Sequence, residues 1–216
     1  MIDCAALLFN LDGTLIDATA VLERTWKAWA EMHGLDPQTV VSKFRSMRAR
    51  DAILQLVPSA ELLAEVQRLE AIELSELGAV HPLPGAAAML AMLLPSQWAV
   101  VTAGARRLAQ ARLEACGLPV PDVLVSVEDV SRVKPDPEGF IAAAIRLNID
   151  PADCIVFEDS PDGVQAGRHA GCTVVALTTT HRPADLERAD GLVKDLSSVR
   201  VGRKNGRLHI SLKGAA

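Results

Sequence analysis

Short, predominantly apolar runs alternating with segments of helical period constrain this chain more than any other feature of it. The runs cover residues 4–9, 98–102, 123–127, 154–157 and 173–177. Between them, apolar residues recur every three or four positions over 86–94, 106–116, 138–147 and 163–170. A strand without polar alternation is buried on both faces, and helices are what cover it, so the pattern predicts an α/β fold around a parallel sheet. Half of the 216 residues are hydrophobic (50%), enough to fill such a core. In sheets of this kind ligands bind beyond the carboxyl ends of the strands, so the residues just after each run are where chemistry is to be sought.

Residues 19–77 break the alternation with helical patterns alone, first around Leu22, Trp26 and Trp29 and later around Ile53, Leu54, Leu62 and Val66. The stiff connector His81-Pro82-Leu83-Pro84-Gly85 follows. Residues 19–81 therefore read as a helical insert between the first and second strands, with 1–18 and 82–216 forming the core. The tryptophans, at apolar helical spacing, belong to the insert's own core rather than to a substrate platform. At the other end, 199–202 and 208–212 alternate about Asn205-Gly206, a hairpin expected to extend or cover a sheet edge.

The net charge is -5 with scattered positive residues, which argues against a nucleic-acid partner. The basic run Arg203, Lys204 and Arg207 reads as an exposed turn. Cys4, Cys116, Cys154 and Cys172 show no CxxC spacing, and three of them border apolar segments. They read as buried thiols of a reducing compartment rather than zinc ligands or disulfides. With no signal peptide and no run of about 18 apolar residues, the expectation is a cytoplasmic monomer without a membrane partner.

Four strand ends carry polar groups of a consistent kind: Asn10-Leu11-Asp12-Gly13-Thr14-Leu15, Thr102-Ala103-Gly104, Lys134-Pro135-Asp136-Pro137 and Glu158-Asp159-Ser160. Phosphoryl transfer needs such parts. A hard cation on oxygen ligands offsets phosphoryl charge, a lysine and a hydroxyl hold the remaining oxygens, and a positioned acid protonates the leaving alkoxide. Asp159, with Glu158 beside it, offers the metal carboxylate, and Lys134 and Thr102 the phosphate grip. Gly13 lets the backbone approach, and Asp12 is placed to donate a proton. Singly, each is an ordinary turn or helix cap. Together and in order they are not.

Order and spacing resemble the four motifs of the haloacid dehalogenase superfamily. Its first motif is Asp-x-Asp-Gly-Thr-Leu, and Thr102, Lys134 and the pair Glu158-Asp159 match the other three. The resemblance implies a Rossmann-like core with a helical cap at 19–81 and a magnesium-dependent phosphatase acting on a small phosphorylated metabolite. Among its members the chain is most similar to sugar and polyol phosphate phosphatases. Magnesium would be held by position 10, the Asp12 carbonyl and Asp159, with Glu158 acting through water. Gly13, Ala103 and Gly104 would face the substrate phosphate. The cap of such enzymes often carries a His-Gly-Arg-Arg-like run and a nearby Asp. Here Arg45-Ser46-Met47-Arg48 and Asp51 stand in that place, so Arg45 and Arg48 are the substrate-binding candidates, and the departures from the pattern leave the leaving group open.

One departure is central: Asn10 stands where the family has its nucleophilic aspartate. A neutral amide oxygen is a poor nucleophile, and losing one negative charge weakens a cation site. The chain as it stands is thus expected to bind phosphate esters without hydrolysing them. The intact remainder of the site favours an introduced block, made to trap substrate, over natural loss of catalysis. The rival outcomes are a sugar phosphomutase on the same scaffold and a non-catalytic phosphate-ester binding protein.

Overall fold

The computed structural model describes residues 1–44, 48–58 and 61–213. The first apolar run supplies β2 (Ala6–Phe9), preceded across Ala5 by β1 (Ile2–Cys4), which begins two residues before the run; a short β3 (Ile16–Asp17) follows. Next come the helices α1 (Thr19–Met32), α2 (Pro37–Phe44), α3 (Ala49–Leu56) and α4 (Leu62–Ser75). β4 (His81–Pro82) then returns antiparallel to β3, pairing Ile16 with Pro82 and Asp17 with His81. Both ends of the insert therefore pass through one narrow two-stranded doorway.

Alternation resumes with α5 (Ala86–Leu90), β5 (Trp98–Val101), α6 (Arg106–Ala115), β6 (Leu124–Val125) and α7 (Glu138–Leu147). It continues through β7 (Cys154–Glu158), α8 (Pro161–His169), β8 (Thr173–Leu177) and β9 (Gly191–Val193). The last elements are β10 (Val199–Lys204) and β11 (Arg207–Leu212). Six strands form a wholly parallel sheet in the order β6-β5-β2-β7-β8-β9, the α/β architecture expected. Two elements are shorter than their apolar patterns suggest, β6 covering only Leu124–Val125 and α5 stopping at Leu90. β9 has too short an apolar run to be read in advance.

The central strand β2 shows why the runs lack polar alternation. Leu7 and Phe9 enter one cluster with Trp98, Val100, Ile155 and Phe157, while Ala6 and Leu8 enter another with Ala99, Val156 and Phe140 of α7. Phe9 stacks on Phe157 with centroids 5.3 Å apart and meets Trp98 edge-on at 6.4 Å. The insert has a third cluster of its own, in which Trp26 and Trp29 are buried among Val40, Ile53 and Leu69. Trp29 Nε1 donates to Glu65 at 2.8 Å, satisfying its one polar atom. These rings are core, not platform. Cys4, Cys154 and Cys172 are buried and unpaired, and burial pushes each thiol up to about 12. Among the described residues no helix is long and apolar enough to cross a membrane.

The tail hairpin forms as its Asn-Gly turn predicts, yet it does not extend the parallel sheet. β11 pairs with β10 and, on its other side, with β1, setting Ile2 opposite Ile210 and Cys4 opposite Leu208. This makes a second, three-stranded antiparallel sheet. Leu208 and Ile210 are fully buried in the same cluster as Leu7 and Phe9, so the hairpin closes over a core face. Ile210→Ala should therefore cost about 2–5 kcal/mol, because a buried side chain is removed from a packed core. Urea unfolding would show this as a lower midpoint with a single transition. A loss under about 0.5 kcal/mol, the size of an ordinary surface change, would show that the tail is not part of the core.

Candidate active site

Parallel register decides which residues meet. Phe9 is paired with Val100 on one side and with Phe157 on the other, so Asn10 leaves β2 level with Val101 and Glu158. The Asn10 N–H still donates to the Phe157 carbonyl at 2.9 Å, so the backbone at this point is an extension of the strand. Beyond it the chain turns tightly, with Leu15 N donating to Leu11 O at 2.9 Å and Gly13 N to Ile16 O at 2.7 Å. Gly13 takes a φ of 82°, and a Cβ there would lie 2.1 Å from Asp159 Oδ2. Only glycine allows this turn to press against that carboxylate.

The Asn10 side chain is held on three sides. Its Nδ2 donates to the Asp12 carbonyl and to Asp159 Oδ1, both at 2.8 Å, and its Oδ1 accepts from Lys134 Nζ at 2.9 Å. Turning the amide over would set Nδ2 against the Lys134 ammonium, donor against donor, so the orientation is fixed by its partners. Lys134 also donates to Glu158 Oε1 at 2.5 Å and to the Val101 carbonyl at 3.2 Å, and lies 5.0 Å from the centre of the Phe140 ring. All three ammonium protons are engaged. A ligand oxygen would have to replace one of these partners, and the Val101 carbonyl is the longest and weakest of them.

Glu158 is fully buried and both its oxygens are engaged: Oε1 by Lys134, Oε2 by the N–H groups of Asp159 at 2.8 Å and Ser160 at 3.0 Å and by the Ser160 hydroxyl at 3.0 Å. Three donors crowd Oε2, while Oε1 accepts from Lys134 and keeps its second lone-pair direction. Glu158 serves here as the anchor of Lys134 and of the Asp159–Ser160 backbone. Asp159 Oδ1 accepts from Asn10 and, at 3.1 Å, from Thr14 Oγ, and its Oδ2 accepts from the Thr180 hydroxyl. Burial, reinforced by the neighbouring Glu158 charge, raises the Asp159 pKa, while the bonds from Thr180 and Asn10 and the Lys134 charge partly offset the rise.

Thr102 is buried at the end of β5, and its Oγ accepts from Gly104 N at 3.0 Å across Ala103. Asp12 is turned toward α6, where Arg112 Nη1 donates to its Oδ1 at 2.8 Å. The other Arg112 nitrogen, Nη2, donates to Glu73 of α4 at 2.6 Å. Burial pushes the Glu73 carboxyl up to about 7, more than Arg112 draws it down. Asn10, Asp12, Gly13, Lys134, Glu158 and Asp159 are thus joined in one network, with Thr102 at the adjacent strand end. Glu73 of the insert joins it through Arg112. Arg48 forks onto Asp51 with two bonds of 2.9 Å, and Arg45 lies outside the described residues.

Several site residues were not anticipated from the sequence. Thr179 donates to the Gly13 carbonyl, Thr180 holds Asp159, and His181 Nδ1 lies 2.9 Å from both the Asp159 carbonyl and the Thr180 hydroxyl. The signal was available, because these residues follow the run 173–177, a strand end like the other four. Arg112 also had one: it falls on the buried stripe of its helix with Leu108, Ala109 and Leu113.

Comparison with known proteins finds relatives over most of the chain. Residues 4–171 match the family described as haloacid dehalogenase-like hydrolases. The hexitol phosphatase A of Escherichia coli (strain K12) is 37% identical over 206 residues, covering 93% of this chain and 95% of that one. The validoxylamine A 7'-phosphate phosphatase of Streptomyces hygroscopicus subsp. limoneus is 39% identical over 203 residues, covering 89% and 94%. Among solved structures, a hydrolase from Pseudomonas syringae superposes with a TM-score of 0.78 at 24% identity, covering 90% of this chain and 94% of that one, a likeness of fold.

The Thr180 hydroxyl is predicted to be what keeps the Asp159 carboxylate satisfied. Thr180→Val keeps the shape, removes that donor and should destabilise the chain by about 1–3 kcal/mol. Thermal unfolding of the pair measures it, and an unchanged melting temperature would show that Asp159 draws nothing from this loop.

Proposed function

The chain belongs to the haloacid dehalogenase-like hydrolases and is a phosphatase by family, and we propose that its site handles a small sugar or polyol phosphate through an acid–base and nucleophile pair at positions 12 and 10. The observation that carries the reading is the convergence of Asn10, Asp12, Lys134 and Asp159 at the carboxyl ends of adjacent strands. The names of the two relatives, one a hexitol phosphatase and the other acting on validoxylamine A 7'-phosphate, support the substrate class.

With aspartate at position 10, its carboxylate attacks phosphorus and the bond from phosphorus to the sugar oxygen breaks. Asp12 supplies the proton that the departing alkoxide needs. Water then cleaves the aspartyl-phosphate, with Asp12 taking up its proton. Lys134 neutralises charge at the attacking carboxylate and the phosphoryl oxygens. Thr102, fixed through its acceptor side by Gly104, keeps its hydroxyl proton for a phosphoryl oxygen. The insert, in the role of a cap, closes over the site and excludes water, with Arg45 and Arg48 as its substrate contacts.

The residues fit a magnesium ion once position 10 is a carboxylate. One atom of Asn10 reaches both the Asp12 carbonyl and Asp159 Oδ1 at 2.8 Å, so a carboxylate there would present a third oxygen to the same small volume. Magnesium would offset the charge gathering on the phosphoryl oxygens. With Asn10, two amide hydrogens point into that volume instead. In this form we read the chain as a phosphate-ester binder that does not turn over.

Phosphate release from a panel of sugar and polyol phosphates tests the proposal. Asn10→Asp should raise kcat/KM by on the order of 10³-fold or more, as expected for restoring a covalent nucleophile. Chelation of divalent ions should abolish the gain. Equal activity of the two forms, or none in either, would overturn it. Transfer of the phosphoryl group to a second position on the sugar, without release, would mark a mutase instead.

A further inference from the structure

Arg112 has a role in the site that the phosphatase reading leaves unassigned. It sits in α6 with its side chain 3% exposed, between two carboxylates from different parts of the chain. Asp12 belongs to the turn after β2, whereas Glu73 belongs to α4, the last helix of the insert. A guanidinium fork is best matched by both oxygens of a single carboxylate. Here the fork is split, one Nη to each partner, and Nε is buried with no partner among the described residues. A buried charge with incomplete hydrogen bonding is a poor device for stability. The split does achieve a fixed relation between α4 and the Asp12 carboxylate.

We propose that Arg112 is a positioning residue that aims the Asp12 carboxylate, and that Glu73 holds Arg112 in place, so that seating of the helical insert and placement of the acid are one coupled event. This rests on the phosphatase reading above, with Asp12 as the proton donor. Glu73 answers to its burial and to the Arg112 charge, with Asp12 and Glu70 acting on it as further negative groups. A lysine at 112 presents a point charge with no fork and cannot hold both carboxylates in that geometry.

The effect of Arg112 should depend on the leaving group. A sugar alkoxide needs a proton as it departs, whereas p-nitrophenolate does not. In the Asn10→Asp chain, Arg112→Lys should lower kcat/KM for a sugar or polyol phosphate by roughly 10- to 100-fold, within the range of general acid catalysis. On p-nitrophenyl phosphate the loss should stay under about threefold, a residue of altered binding rather than lost acid catalysis. Glu73→Gln, which leaves the guanidinium in place and an amide oxygen to accept from it, should show the same pattern at smaller size, and it decides the matter if Arg112→Lys does not fold. Equal losses on the two esters, or no loss, would overturn the positioning role while leaving the phosphatase reading intact. An inert Asn10→Asp reference would sink the phosphatase reading itself, and this proposal with it.

Discussion

The burial of β2 on both faces is the constraint on which the rest of this molecule depends. A strand with Leu7 and Phe9 locked into one cluster and Ala6 and Leu8 into another cannot slip by one residue without exchanging every side chain between faces. Its pairing with β5 and β7 is therefore fixed, and so is the level at which Asn10, Val101 and Glu158 emerge. Register sets the level of Asn10 and Asp159, and with Lys134 reaching in from the connection between β6 and α7, polar side chains more than a hundred positions apart along the chain come to 2.8–2.9 Å. The stack of Phe9 on Phe157 lies directly beneath them and fills the sheet at that point.

Above that register the site is a balance of charge. Glu158 and Asp159 are buried side by side, an arrangement costly for two carboxylates unless cations and donors answer it. Lys134 answers Glu158, the backbone at 159–160 completes it, and Thr14, Thr180 and Asn10 share Asp159. Asn10 closes the circuit as a donor to one side and an acceptor to the other. An amide is the only common side chain that can face an ammonium and two anionic or carbonyl oxygens at once without a further ion.

Much of this was legible in the sequence, for a physical reason. Doubly buried strands need unbroken apolar runs, so the order of core strands and the four polar strand ends could be read directly, and Asn10, Asp12, Lys134 and Asp159 do meet. What escaped was encoded in three dimensions instead. The backbone donors that hold Glu158 are a property of the turn after β7, not of its composition. Thr180 and His181 follow a strand whose end carries no charged motif to draw attention. Arg112 was visible as a cation on an apolar stripe, yet its two partners, 39 and 100 positions away, could not be. The hairpin was recognised from its Asn-Gly turn, while its partner β1 lies mostly ahead of the first apolar run, at Ile2 and Asp3.

That pairing of β1 with β11 bears on the order in which the chain can assemble. Residues 2–4 are made long before their strand partner, residues 207–212. Until it arrives, the cluster around Leu7 and Phe9 lacks Leu208 and Ile210, and one apolar face of the sheet stays open to water. The insert, with a core of its own formed from residues close in sequence, faces no such wait. A nascent chain can thus hold a folded helical bundle while its catalytic sheet is still unsealed, and that interval is when the chain is most exposed to aggregation.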